Sequence, residues 1–401
     1  MGAVSLPART VDVLVVGAGQ AGLGTARRLV DAGVPDVLVL EAAEVGASWT
    51  GRWAGLRLFT PRRFSTLPGL PFPPGPGESP TRLEMAAYLR RYADVLDVPV
   101  VTGTPVTGLT RAGTGFRAAT PAGEVTARQV VVATGPHRRP RVPAAAADLA
   151  PDVVALHSSA YREPADLPDG PVLVVGGGNS AAQLALELAA TRPVTVAAPG
   201  VPRALPTHVL GISLYRWLLV TGVLNAGSGT PVGRLVRRRD EAVFGRDLPR
   251  AVRAGRVRLV PHRVVGAAGR AVTLADGSVL PVHAVLWCTG FLPDTGWLEI
   301  PGALGPGGEP VHRRGASPVP GLHWMGLPWQ TRVNSGLVDG VDRDARRTAG
   351  RIRRALDGAV GRRDLGGPPP HRLGRQTRWP DPATSTPPSS PCPSPRWPTR
   401  P

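Results

Sequence analysis

Val13-Leu14-Val15-Val16-Gly17-Ala18-Gly19-Gln20-Ala21-Gly22 is the stretch that decides how this chain is read. Four apolar, mostly β-branched residues read as a buried strand. Gly17, Gly19 and Gly22 fall on the GxGxxG spacing, and an alanine- and leucine-containing helical run follows. The first glycine allows a tight turn out of the strand, and the second lets the backbone approach a pyrophosphate. The third position must be small so that the helix packs on the strand. The unpaired N–H groups at the helix start then cradle the anion. A second copy occurs at Val172-Leu173-Val174-Val175 and Gly176-Gly177-Gly178-Asn179-Ser180-Ala181, with alanine at the third small position. One such turn is weak evidence. Two in one chain predict two dinucleotides bound together, with electrons passing between them.

The strand ends separate the two nucleotides. Val37-Leu38-Val39-Leu40 runs into Glu41, 24 positions after Gly17. That is close to the spacing of an acid that accepts hydrogen bonds from ribose hydroxyls. The matching strand of the second copy, Val194-Thr195-Val196, runs into Ala197-Ala198-Pro199 and carries no acid. Arg203 follows and Arg192 precedes it. A missing carboxylate beside a guanidinium suits a ribose 2′-phosphate, so the second nucleotide is expected to be NADPH, with Arg203 as the phosphate partner.

Each copy is followed by a hairpin pattern and an apolar strand ending in Thr-Gly. In the first, Phe116–Ala119 and Glu124–Thr126 flank Pro121-Ala122-Gly123, and Val130-Val131-Val132-Ala133 leads into Thr134-Gly135. In the second, Val272–Leu274 precedes the turn Asp276-Gly277, and Val285-Leu286-Trp287-Cys288 leads into Thr289-Gly290. Gly17 to Gly135 spans 118 positions and Gly176 to Gly290 spans 114. The expected fold is therefore α/β, with two nested Rossmann-like modules. Thr134, Gly135, Thr289 and Gly290 are expected to return to the cofactors, where bulk is excluded.

The formal net charge is +18 over 401 residues. A basic chain suggests nucleic acid or an anionic membrane. Every basic residue here is Arg, the arginines are scattered, and no aromatic-interleaved stripe appears; neither nucleic acid nor a metal is expected as a partner. Cys288 and Cys392 form no CxxC, which argues against a dithiol centre and a zinc ribbon. No apolar run is long enough to predict a transmembrane helix, and no signal peptide is read, so a cytoplasmic location is expected. Residues 361–401, rich in Pro and Arg, are expected to be a disordered tail.

Together these residues resemble the class B flavoprotein monooxygenases, over roughly residues 10–355. Besides the paired turns, the resemblance rests on four stretches: Gly46-Ala47-Ser48-Trp49 continuing to Pro61; His157-Ser158-Ser159-Ala160-Tyr161; Cys288-Thr289-Gly290-Phe291-Leu292-Pro293-Asp294; and Arg332-Val333-Asn334-Ser335-Gly336 with Gly340 and Asp344. The linker fingerprint FxGxxxHxxx(W/Y) is half met: His157 and Tyr161 match, while Pro151 and Val153 stand where Phe and Gly belong.

The resemblance implies FAD in the first module, bound by Gly17, Gly19, Gln20, Ala21, Gly22 and Glu41, with Ser48, Trp49, Thr134 and Gly135 beside it. It implies NADPH in the second, at Gly176, Gly178, Asn179, Ser180, Arg203, Thr289 and Gly290. The FAD domain is then expected at 1–165 and 285–360, with the NADPH domain inserted at 166–284. The implied chemistry is hydride transfer to FAD, a flavin C4a-(hydro)peroxide formed with molecular oxygen, and oxygenation of a small organic substrate. N- or S-oxygenation, or oxidative decarboxylation of a keto acid, is favoured over Baeyer–Villiger chemistry. A reductase or oxidase releasing hydrogen peroxide, and a nucleotide-sensing flavoprotein, are the alternatives. His157, Tyr161 and Asn334 are the candidates for a catalytic role. Asn334 and Ser335 are positioned to cap a closing helix. Trp217, Trp324 and Trp329 are candidates to line a substrate cavity.

Overall fold

The computed structural model describes residues 9–239 and 242–360; the tail expected at 361–401 lies outside them. The chain starts with β1 (Arg9–Val16), α1 (Gln20–Asp31) and β2 (Val37–Leu40), followed by the single turn α2 (Ala47–Thr50). Helix α3 (Arg82–Asp94) comes next, its start fixed by a capping box between Thr81 and Glu84. Strands β3 (Val100–Val101), β4 (Gly108–Ala112), β5 (Gly115–Thr120) and β6 (Gly123–Val132) follow.

A short strand β7 (Arg139–Pro140) crosses to the second module. That module holds β8 (Val154–His157), β9 (Val172–Val175), α4 (Asn179–Leu188) and β10 (Val194–Ala197). An excursion then carries β11 (Ala204–Leu205), the hairpin β12 (His208–Val209) and β13 (Ile212–Ser213), α5 (Leu214–Val220), α6 (Pro231–Arg237), β14 (Val243–Phe244) and α7 (Asp247–Arg253). Strand β15 (Val257–Val260), the meander β16 (Val264–Ala268), β17 (Ala271–Leu274) and β18 (Val279–Pro281), and β19 (Ala284–Trp287) complete it. The chain crosses back through β20 (Phe291–Leu292) and ends with β21 (Leu322–Trp324) and α8 (Val341–Val360).

The two sheets repeat one plan. The first contains the parallel order β3-β2-β1-β6-β21, and the second is β15-β10-β9-β19-β8. Thus β1 corresponds to β9, β6 to β19, and β21 to β8. Strand β6 is long enough to pair twice on one edge: its first half joins β5 and its last three residues join β21. β2, β9 and β19 are buried along their whole length, which explains their unbroken apolar runs. Helices α1, α3 and α8 cover one face of the first sheet through Leu23, Leu89 and Ile352. Helices α4 and α7 cover the second through Leu184 and Ala251. The architecture is two Rossmann-like modules, one nested in the other. The second sheet draws on β8 and β19 as well as on the strands between them.

The excursion folds back on the first module. Tyr215 packs its ring on Phe64 at 5.2 Å and donates to Asp339 Oδ1 at 2.6 Å. Val333 N and Asn334 N donate to the carbonyls of Ala226 and Leu224. The described residues up to Gly358 form one compact unit. Among the described residues no helix is long and apolar enough to cross a membrane.

Candidate active site

The first glycine turn sits where β1 ends, between the carboxyl ends of β1 and β6, the place where open α/β sheets bind ligands. Gly17 has φ +105°, and a Cβ there would lie 2.7 Å from the Ala133 carbonyl oxygen. Gly176 has φ +136°, and a Cβ there would lie 2.3 Å from the Cys288 carbonyl oxygen. Each turn therefore packs against the residue immediately before its own Thr-Gly. The registers match as well: Ala133 N donates to Val16 O, and Cys288 N to Val175 O, both at 2.8 Å. The return of each Thr-Gly to its glycine turn is thus a backbone contact that only glycine permits.

Helices α1 and α4 start at Gly19 and Gly178, both extended and neither capped by a side chain. The first N–H groups of α1 find no acceptor among the described residues and face outward for an anion. A cleft of about 390 Å³ opens in front of α1. Gly17, Gly19, Gln20, Ala21, Glu41, Ser48, Trp49, Thr134 and Gly135 line it, and so does Ser180 from the start of α4. Gly22 lies behind this wall, where a Cβ would meet Gly17 O at 1.8 Å. Glu41 accepts from Ala18 N at 2.7 Å and from Ala43 N at 3.2 Å, which fixes the carboxylate with lone pairs to spare.

This wall fits FAD. A Cβ on Gly19 would meet nothing within 4 Å, so the backbone is bare towards the cleft. Trp49 and Trp53 line the cleft, and their indole N–H groups are buried without an acceptor among the described residues, as are those of the core residues Trp287 and Trp324. The ring carbonyls and nitrogens of a flavin are acceptors of the kind that such donors need.

The second cradle is arranged differently. The Asn179 side chain accepts from Phe244 N at 3.0 Å and donates to Ala242 O at 3.2 Å, so it pins the returning excursion to the start of α4. Arg203 is exposed and its guanidinium makes no ion pair among the described residues. Arg192 is committed elsewhere, to the carbonyls of Pro164, Leu167 and Pro168. Thr289 Oγ1 donates to Arg141 O, and Arg141 N donates to Gly290 O at 2.9 Å, which locks the two crossing strands together.

None of His157, Tyr161 and Asn334 lines the cleft. His157 ends β8 and is buried. Its Nε2 lies 3.0 Å from Gly290 O, which can only accept, so Nε2 carries the proton. Nδ1 then accepts from Ser159 N at 3.2 Å and contacts Ser159 Oγ at 2.9 Å. Desolvation lowers its pKa against the raising effect of the Gly290 carbonyl, and Arg52 lowers it further. Tyr161 is fully buried, with its hydroxyl 3.3 Å from Glu187. Asn334 is buried and donates to Asp339 Oδ2 at 2.8 Å.

Ser335 does not cap the closing helix. Its Oγ accepts from Thr331 N and Arg332 N, while α8 begins at Val341 after a short 3-10 turn. Trp324 is core, and Trp217 bonds Val209 O beneath the excursion hairpin. Neither Trp217, Trp324 nor Trp329 lines the cleft, whose indoles are Trp49, Trp53 and Trp297.

Sequence reading did not single out Arg52, His137, Phe291 and Trp297 as cleft residues. His137 meets the edge of Phe291 at 5.2 Å between ring centroids. His137 is exposed at the cleft mouth, and desolvation and then Arg52 lower its imidazole pKa. The signal for Phe291 was its place after Thr289-Gly290. The signal for Arg52 was its place between Trp49 and Trp53.

Comparison with known proteins agrees with this geometry. The family model described as pyridine nucleotide-disulphide oxidoreductase matches residues 14–209. An uncharacterized CzcO-like oxidoreductase of Geobacillus kaustophilus is 38% identical over 335 residues, 84% of this chain and 96% of that protein. The indole-3-pyruvate monooxygenase YUCCA1 of Oryza sativa is 34% identical over 52% of this chain and 54% of its own length. A flavin-containing monooxygenase from Stenotrophomonas maltophilia superposes with a TM-score of 0.73 at 28% identity, covering 87% of this chain and 99% of that structure. The chain belongs to the CzcO-like oxidoreductases, enzymes of the flavin-containing monooxygenase type that pair FAD with NADPH.

Proposed function

We propose that the protein oxygenates a small organic substrate, by N- or S-oxygenation or by oxidative decarboxylation of a keto acid. The observation that carries this reading is the shared cleft: Ser180 of the second cradle and Gly17–Ala21 of the first border one cavity. Bound there, FAD and NADPH supply hydride transfer and oxygen activation. The chain's own residues bind, orient and exclude water. In this reading the backbone of Gly17–Gly22 holds the flavin diphosphate, and Glu41 holds its ribose. Gly176, Gly178 and Ser180 hold the NADPH diphosphate, and Arg203 pairs with its 2′-phosphate. Trp49, Trp53, Leu56, Phe291 and Trp297 form apolar walls that keep the site dry. His157 is a positioning residue that holds Gly290 and, through it, the crossing strands. The keto-acid option is favoured by YUCCA1, whose named substrate, indole-3-pyruvate, is a 2-oxo acid. Use of NADPH suits a cytoplasmic setting.

A disulfide-reducing function is disfavoured by the thiol chemistry. Cys288 is the free cysteine among the described residues, and burial pushes its thiol up to about 12. A thiol held protonated in that way is a poor nucleophile.

The test follows NADPH oxidation, oxygen uptake and hydrogen peroxide together across amines, sulfides, 2-oxo acids and ketones. A substrate that lowers the peroxide yield and gains an oxygen atom from labelled dioxygen supports the proposal. One peroxide per NADPH with every compound supports the oxidase alternative instead.

A further inference from the structure

The cleft wall carries a cation that no acid balances. The Arg52 guanidinium lies over the Phe291 ring, 5.2 Å from its centroid. Nε donates to Ser48 O at 3.3 Å and Nη2 to His137 O at 3.4 Å, both long for bonds from a charged donor. Nη1 has no hydrogen-bond partner, and no carboxylate pairs with Arg52, among the described residues. Of the acids that line the cleft, Glu41 is committed to Ala18 N and Ala43 N and Asp294 to Arg138 at 3.2 Å, while Glu44 is exposed and makes no ion pair with Arg52. The charge that acts on Arg52 is a second cation, Arg162, which adds to the effect of burial. Arg162 is itself turned to the carbonyls of Ser159 and Tyr161. The side chain that packs against the guanidinium is the apolar Phe291 ring. A partly desolvated cation left without an anion is costly, and a planar guanidinium with free donors matches a carboxylate or phosphate.

We propose that Arg52 anchors an oxyanion in the cleft, either the carboxylate of the substrate or a phosphate of the coenzyme. The proposal rests on the reading of the cleft as the nucleotide-binding active site. The Phe291 ring packs against the guanidinium and backs it from one side. The anchor belongs to neither glycine cradle. It stands where the two crossing strands β7 and β20 bring the modules together.

The experiment uses the full chain loaded with FAD, as wild type, Arg52→Gln and Arg52→Lys. Three probes are titrated by quenching of tryptophan fluorescence: NADP⁺, phenylacetate, and neutral phenylacetamide. The expected result is a rise of about tenfold or more in Kd for an oxyanion probe in Arg52→Gln, with partial recovery in Arg52→Lys. Phenylacetamide binding stays unchanged. Loss confined to phenylacetate assigns the anchor to the substrate, and loss confined to NADP⁺ assigns it to the coenzyme. Unchanged affinity for both probes in a variant that keeps its flavin overturns the proposal. So does equal loss of all three probes in both variants, which marks a packing role. Flavin absorbance reports separately on the cleft reading: a colourless wild type that still binds phenylacetate through Arg52 keeps the anchor and removes the flavin.

Discussion

Two alanine substitutions only three residues apart are expected to fail for different reasons. At Gly22 a Cβ would lie 1.8 Å from Gly17 O and 3.0 Å from Gly17 C. Ordinary contact begins near 3.4 Å, so α1 must retreat by roughly 1.6 Å from the end of β1. Forced overpacking of this kind costs about 3 kcal/mol. In a chain of this size that lowers the apo-protein's melting temperature by about 4 °C. The same movement carries the N–H groups of α1 away from the diphosphate, so flavin binding falls with stability.

At Gly19 a Cβ would meet no protein atom within 4 Å, and φ of −76° is open to any residue. Gly19→Ala loses N-cap preference worth about 1 kcal/mol and regains about 0.4–1 kcal/mol from the stiffer unfolded chain, so it folds within about 1 kcal/mol of the wild type. Its methyl group occupies the space that the diphosphate needs, and a penalty of about 1–3 kcal/mol weakens FAD binding roughly 5- to 150-fold. The assay is thermal unfolding of the three apo-proteins by circular dichroism, together with FAD titration by flavin fluorescence. A Gly19→Ala protein that binds FAD as tightly as the wild type refutes the placement of the diphosphate. A Gly22→Ala protein that melts like the wild type refutes the packing argument.

Arg203→Gln is expected to raise KM for NADPH about 10- to 100-fold and leave KM for NADH unchanged, as steady-state kinetics with both coenzymes will show. His323 is buried beside Gln129, and desolvation, then Arg351, pushes its pKa from 6.5 to about 4. The unfolded chain takes up that proton first, so its contribution is complete above pH 6.5 and is lost as pH falls towards 4. Denaturant unfolding should show a loss of about 2 kcal/mol at pH 5 that His323→Gln does not share. Tyr215→Phe removes the 2.6 Å hydrogen bond to half-buried Asp339 and should cost about 1–2 kcal/mol in the same assay. No change there would mean that the excursion does not depend on this tie.

Both glycine turns, their strands and the Thr-Gly returns were legible because each depends on local backbone chemistry. A left-handed φ at Gly17 and a close approach at Gly22 can be read from residue type and spacing alone. The absence of an acid after Val196 was legible for the same reason. The cleft wall was not. Arg52, His137 and Phe291 meet because β7 pairs antiparallel with β20 across some 150 residues of intervening chain, and no periodicity records that. Tyr161 and Asn334 carry functional-looking groups, yet Tyr161 is absorbed by the core with Glu187 and Asn334 by Asp339. Asn179 illustrates the same limit: its position in the turn is readable, but its bonds to Ala242 and Phe244 depend on where the excursion returns.

The central claim is that one cleft brings the two nucleotides face to face. Rapid mixing of the FAD-loaded protein with NADPH in the absence of oxygen tests it most directly. The account predicts that the yellow flavin absorbance bleaches, about tenfold or more faster with NADPH than with NADH. A flavin that stays oxidised with both coenzymes, or a protein that cannot retain FAD, contradicts it.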